Sequence, residues 1–203
     1  MSILGSSLAA WYLMRASGVV SLVLLTAVFG LGIATAKRWH PVRLPRFVTL
    51  GLHRNISLLS VVFLAIHVVT AVIDPYAHVG LLAAVLPFTA GSDAIWVGLG
   101  TVSLDLVAAL IVSSLLRRHI GHRTWKAIHW LSYASWPVAF AHTLGSGTDA
   151  ATLWLRVVAG LSASTIGAVV VWRLRGRSGT VKHMEPRALP VAPAPRAIEE
   201  VAA

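Results

Sequence analysis

Between residues 10 and 174 the sequence repeats one pattern five times: a run of apolar residues closed off by charge, proline or glycine. The runs are 10–36, 48–73, 94–116, 126–146 and 151–174. About 20 predominantly apolar residues suffice for a helix to cross the hydrocarbon of a bilayer. Backbone amides in lipid must be satisfied within the segment, so helices are the form these runs can take. The expected fold class is therefore all-α, a polytopic membrane helix bundle with five transmembrane helices. Composition agrees, with 57% hydrophobic and 12% charged residues against about 25% charged in soluble domains.

The net charge of +10 is not a nucleic-acid signal, because the basic residues sit where a bilayer would sort them. Lys and Arg gather at 37–46, at 117–126 and after 173, whereas the connections 74–93 and 144–150 hold none and carry Asp74, Asp93 and Asp149. The positive-inside rule then orients the chain with its N-terminus outside and its C-terminus in the cytoplasm. Trp11, Trp96 and Trp154 fall at the expected outer interface, and Trp39, Trp125 and Trp172 at the inner one. Residues 77–91, apolar but too short to cross and interrupted by Pro87, read as an interfacial or re-entrant segment on the outer side. Residues 1–175 form one membrane domain, and 176–203, rich in Pro, Ala and charge, a disordered cytoplasmic tail. The first apolar run is too long and continuous for a cleavable signal peptide. The predicted location is the plasma membrane, in a bacterium the inner membrane, with lipid as the obligatory partner.

Two of the five runs carry histidine. The second holds His53 and His67, the fourth His129 and His142. Both runs cross from inside to outside, so His53 and His129 lie near the cytoplasmic face and His67 and His142 toward the outer one. The separations correspond to about 21 Å and about 19–20 Å of helix rise, which matches the two pairs in depth. His53 and His67 return to within about 40° of one helix face, whereas His129 and His142 miss by about 140° in an ideal helix. Pro137, lying between them, can kink or rewind the segment. An ionisable side chain inside a membrane is costly and marks a functional site. With no cysteine in the chain, iron–sulfur clusters and covalently attached haem are excluded, and imidazole is the available metal ligand. The arrangement fits two stacked b-type haems between the second and fourth spans, one held by His53 and His129, the other by His67 and His142. Packed structural histidines, or a zinc or copper site, are the competing readings; zinc prefers four ligands where each pair offers two.

The stretches Gly51-Leu-His-Arg-Asn-Ile-Ser-Leu-Leu59 and Thr124-Trp-Lys-Ala-Ile-His-Trp-Leu-Ser-Tyr133, with the paired spacings around them, resemble the haem helices of the ferric reductase-like transmembrane domain superfamily. That group includes NADPH oxidases, ferric reductases and the haem subunit of bacterial methionine sulfoxide reductase. The resemblance covers about residues 10–175. It implies a cytochrome b that passes single electrons through two haems to an extracytoplasmic acceptor: ferric iron, oxygen, or a flavoprotein or reductase partner. The alternative is a non-catalytic haem-bearing subunit of a larger complex, fed by a donor protein or quinol on the cytoplasmic or membrane side. The resemblance thus implies an oxidoreductase or an oxidoreductase subunit, with flavin or quinone entering through a partner. The family usually has six spans, and five are read here. No Gly-rich dinucleotide fingerprint occurs, so an NAD(P)H site is not expected within the chain.

Other residues carry paired readings. Arg54, after His53, is either a propionate partner for the inner haem or ordinary inside charge. Arg15, on the side where arginine is disfavoured, is either a propionate partner for the outer haem or a snorkelling cation. Arg156 has the same two readings. Asp105, deep in the third span, is expected to hydrogen-bond a span hydroxyl such as Tyr133, with proton relay as the rival role. Trp136 and Phe63 lie at intermediate depth, as core packing or as filling between the haem planes. His78 is a candidate at the outer face beside Asp74; His40, His119, His122 and His183 carry no expected role.

Overall fold

The computed structural model describes residues 3–37, 45–77, 79–146 and 149–175. Helix α1 (Ile3–Ala36) and α2 (Arg46–Ile73) form an antiparallel pair. After α2 come a short α3 (Leu81–Val85), α4 (Ala94–Leu115), α5 (Arg117–Ile120), α6 (His122–His129), α7 (Ser132–Gly145) and α8 (Leu153–Arg175). Four segments are long and apolar enough to cross a membrane by themselves: Leu8–Ala36, Phe47–Ile73, Ala94–Leu115 and Leu153–Arg175. The chain is a multi-pass membrane protein. Its outward faces are apolar, as lipid requires, with Leu58, Val62 and Val69 of α2 and Leu153, Val157 and Leu161 of α8 all exposed. Hydroxyls inside the spans turn back on their own helices: Thr26 donates to the Leu22 carbonyl at 2.8 Å, Ser57 to that of His53 at 2.6 Å and Thr70 to that of Ile66 at 2.7 Å. No hydroxyl of these three is left bare in hydrocarbon.

The fourth apolar run is one path built from two helices. Between α6 and α7, Leu131 N–H donates to the Ile128 carbonyl, Tyr133 N–H to Trp130 and Ala134 N–H to Leu131, all of them three-residue steps. This tightened turn winds at about 120° per residue in place of about 100°, which removes part of the angular mismatch between His129 and His142. The rewinding occurs at Trp130–Leu131, ahead of Pro137, which sits inside α7 without ending it. Proline does end α2: Asp74, forced toward extended backbone by Pro75, has φ −77° and ψ 116°.

Helix α1 is the centre of the bundle, packing along α2, α7 and α8, and α4 packs along α7. Leu22, Ile33 and Ala34 of α1, Trp136 of α7, and Leu155, Ala159 and Ile166 of α8 make up the buried core. At the C-terminal ends of α1 and α8, Lys37 Nζ donates to the Trp172 carbonyl at 2.5 Å, tying the two helices together. No comparable packing joins α2 to α4 or α7. The bundle is therefore open between the two histidine-bearing paths.

The segment 77–91 is too short to cross; α3 lies against the N-terminal part of α4. Thr101 Oγ1, buried, donates to the Ala83 carbonyl at 2.6 Å. Phe88 adopts φ 65°, a strained value for a bulky side chain, and its backbone passes so close to Gly98 that a Cβ there would lie 2.7 Å from Phe88 N. Only glycine admits that approach. Thr101→Val should free this segment, at a cost of about 0.6–1.7 kcal/mol for a hydrogen bond within a membrane bundle. A spin label at Leu82 would report the change as sharpened, more mobile lines, and unchanged lines would show that the bond does not anchor it.

Asp105 does not make the expected bond. Its side chain is exposed on α4, and the Tyr133 hydroxyl instead accepts from Arg173 Nη1 at 2.5 Å. An arginine in the last turn of α8 reaches Tyr133, whereas the carboxylate lies on the exposed face of α4. The tail expected at 176–203, and His40, His78 and His183, lie outside the described residues.

Candidate functional site

The structure brings together the pair expected toward the outer side, the outer pair. His67 of α2 and His142 of α7 face each other across the opening, ring centroids 6.3 Å apart and planes at 70°. Each ring is anchored through Nδ1, His67 to the Met14 carbonyl and His142 to the Trp96 carbonyl, both at 2.8 Å, with Ser146 Oγ 3.0 Å from His142 Nδ1. A neutral imidazole that donates from Nδ1 to a carbonyl keeps its lone pair on Nε2, the arrangement found in metal-ligating histidines.

The rings also rest on bare backbone. A Cβ at Gly18 would lie 2.9 Å from His67 Nδ1 and Cε1, and one at Gly100 would lie 2.8 Å from the same atoms of His142. Helices α1 and α4 come this close to the rings because these positions lack side chains. Around the pair is a cavity of about 580 Å³, its walls including Ser21, Leu25 and Leu104 beside the two histidines. That is within the 300–1,000 Å³ typical of small-molecule and cofactor sites. At its rim Arg15 forms an ion pair with Asp149 and lies over the Trp11 ring at 3.8 Å. Sequence reasoning finds Arg15 and not its carboxylate partner, which the turn between α7 and α8 brings across from the far side of the chain.

The inner pair is built differently. His53 and His129 are near enough to interact electrostatically. The Nδ1 atoms of both are buried without a hydrogen bond, that of His53 facing the Val28 backbone. His53 repeats the register of His67: Val28 lies as far along α1 from Met14 as His53 does along α2 from His67, and Gly32 stands to His53 as Gly18 does to His67. At Gly32 a Cβ would meet His53 Cε1 at 3.5 Å, an ordinary contact. His129 stacks on Trp125, centroids 4.9 Å apart and planes at 25°.

Arg54 is exposed on α2 and Arg156 on α8. Trp136 is buried between the two depths; its Nε1–H donates to Thr26 Oγ1 at 2.9 Å and its ring stacks on Phe140 at 4.9 Å. Phe63 is half-buried on α2.

The donor set fits haem. A metal–imidazole bond of about 2 Å on each side, plus about 1.1 Å from each nitrogen to its ring centre, spans about 6.2 Å, against 6.3 Å observed for His67 and His142. Among the described residues no group of three or more His, Cys, Asp or Glu comes together, so a pair by itself leaves zinc short of its usual four ligands. Haem brings four nitrogens of its own and needs only the two axial ones.

A multi-pass helical membrane protein with two histidines on each of two helical paths, one pair facing across a cavity, defines a class, and the sequence comparison gives the family. Residues 17–140 match the family described as ferric reductase like transmembrane component, well over half of the chain, and the protein belongs to it. The match includes His53, His67 and His129; His142 lies two residues beyond its end. No curated protein and no solved structure matches the chain. The family places the protein among transmembrane electron-transfer components.

Proposed function

We propose that the protein is a transmembrane cytochrome b of the bacterial inner membrane. It carries single electrons through two bis-histidine haems to an acceptor on the outer side. The observation that carries this reading is the outer pair: two imidazoles pinned through Nδ1, facing each other at 6.3 Å across a cavity of about 580 Å³. Five crossings follow if α6 and α7 together make the fourth, which leaves the N-terminus outside and the basic connections inside. His53 and His129 hold the inner haem, His67 and His142 the outer one. Bound haem supplies the one-electron chemistry, and the chain supplies axial ligands, a low dielectric and partners for the propionates. Arg15 at the cavity rim is the cation for an outer propionate, which would take the place of Asp149 in a charge-assisted, bidentate pair. Arg54 serves the inner haem in the same way. Trp136, buried between the two depths, fills the gap that electrons cross.

Donor and acceptor enter as partners: a protein or quinol on the cytoplasmic side, and ferric iron, oxygen or a flavoprotein or reductase outside. One observation favours the subunit form of this function, in which a partner protein receives the electron. Leu81, Leu82, Val85, Leu86 and Phe88, on the segment beside the outer cavity, are each at least half exposed, an apolar surface of the kind that interfaces cover.

The test is a dithionite-reduced minus oxidised spectrum with a haem count on the detergent-purified protein. The expected result is a b-type spectrum with about two haems per chain. The 70° between the outer imidazole planes further predicts a strongly anisotropic low-spin ferric EPR signal from that site. A haem-free protein after reconstitution with added haem would end the proposal.

A further inference from the structure

The two histidine pairs are oriented by different chemistry, and the difference singles out two residues on the cytoplasmic side. In the outer pair each ring plane is set by an Nδ1 hydrogen bond to a backbone carbonyl. His129 has no such bond; its Nδ1 is buried and unpartnered. What holds its plane is the Trp125 ring, one turn earlier on α6, stacked on it at 4.9 Å and 25°. Trp125 is in turn held from other elements. Its Nε1–H donates to Ser114 Oγ of α4 at 3.4 Å, and the Arg117 guanidinium of α5 lies 4.3 Å from its ring centre. His122 leans on it at 5.7 Å. Arg117 also acts electrostatically on His129 itself.

We propose that Trp125, clamped by Arg117 and Ser114, is the positioning residue of the inner pair, fixing the plane of His129 and setting the charge environment of the metal that this imidazole holds. The proposal rests on the haem reading above. Its physical content is twofold. A flat aromatic face leaves an imidazole free to slide but not to tilt, so the stack determines the angle between the two axial planes. A guanidinium beyond the stack favours the form of the site with less positive charge, which is the ferrous one. Because Arg117 is exposed, that effect weakens as salt screens it.

The experiment is a potentiometric titration with parallel EPR on the haem-loaded protein and on Trp125→Ala, Trp125→Phe, Arg117→Gln and Arg117→Lys. The wave that persists in His67→Ala identifies the inner site. Trp125→Ala should change the g-values of the inner signal, and Trp125→Phe should restore them. Arg117→Gln should lower the midpoint of the inner wave alone, by an amount that shrinks at high salt, with Arg117→Lys near the parent. Inner signals unmoved by either residue would overturn the proposal while leaving the haem reading intact. Equal movement of both waves would also overturn it, since that marks general loosening of the bundle. A parent protein with no haem at the inner pair would overturn both, and the parent sample alone would reveal it.

Discussion

His67→Ala should halve the haem bound per chain, from about two to about one, and remove the strongly anisotropic low-spin signal expected of the outer site. The reason is geometric. His67 and His142 reach toward each other from helices that do not otherwise pack together, so no other described imidazole at that depth can substitute. His142, held by Trp96 and Ser146, stays in place but supplies one axial bond where two are needed. Added imidazole, entering the space left by the missing ring, should restore part of the lost haem. The remaining haem should keep the spectrum of the inner site, because His53 and His129 lie about 20 Å away along the helices. His53→Ala should give the complementary loss. Haem extraction and pyridine haemochrome quantification check both. Two haems retained after either change would show that the pairing is wrong.

Gly18→Ala should weaken outer haem binding nearly as severely, although it alters no ligand. The added Cβ would lie 2.9 Å from His67 Nδ1 and Cε1, and the ring cannot retreat. Its Nδ1 is fixed on the Met14 carbonyl of the same helix α1, and its Nε2 would be fixed on iron. Overpacking of this kind costs about 1–3 kcal/mol, and at 1.4 kcal/mol per tenfold that is a loss of about five- to 150-fold in affinity. Gly32→Ala is the internal control. It stands in the same register to His53, but its Cβ would meet the ring at 3.5 Å, so haem retention should stay within about twofold of the parent while the helix gains from alanine. Competition with apomyoglobin measures both. Equal losses would mean that the glycines act through helix packing in general and not through the rings they touch.

Much of this site is legible in the amino-acid sequence. The runs of apolar residues, the sorting of charge and the depths of His53, His67, His129 and His142 follow from counting along the chain. The glycines carry a signal as well, one that histidine spacing alone does not bring out. Gly18 and Gly32 have the same spacing as His53 and His67 on the neighbouring span, as two antiparallel helices in constant register require. The 140° misfit of His129 and His142 is a real feature of an ideal helix. Pro137 is the residue that sequence offers for its relief, whereas the structure tightens the helix at Trp130–Leu131, where no proline marks the place. Asp105 and Tyr133 agree in depth, which makes them plausible partners on paper; depth says nothing about azimuth, and α4 turns Asp105 outward.

Whatever depends on distance along a helix axis is legible in the amino-acid order: which runs are helical, and how far apart along them the histidines sit. Rise per residue is nearly constant and lipid leaves helices no alternative. The features that depend on rotation about that axis and on which helices touch come from the folded bundle alone. These include the cleft between α2 and α7, the carbonyls that receive His67 and His142, the Asp149 partner of Arg15, and the Arg117–Trp125–His129 stack. In a bilayer the apolar faces are nearly equivalent in energy, so hydrophobic pattern does not rank them. Close packing of small residues and a few buried hydrogen bonds between distant segments make that choice.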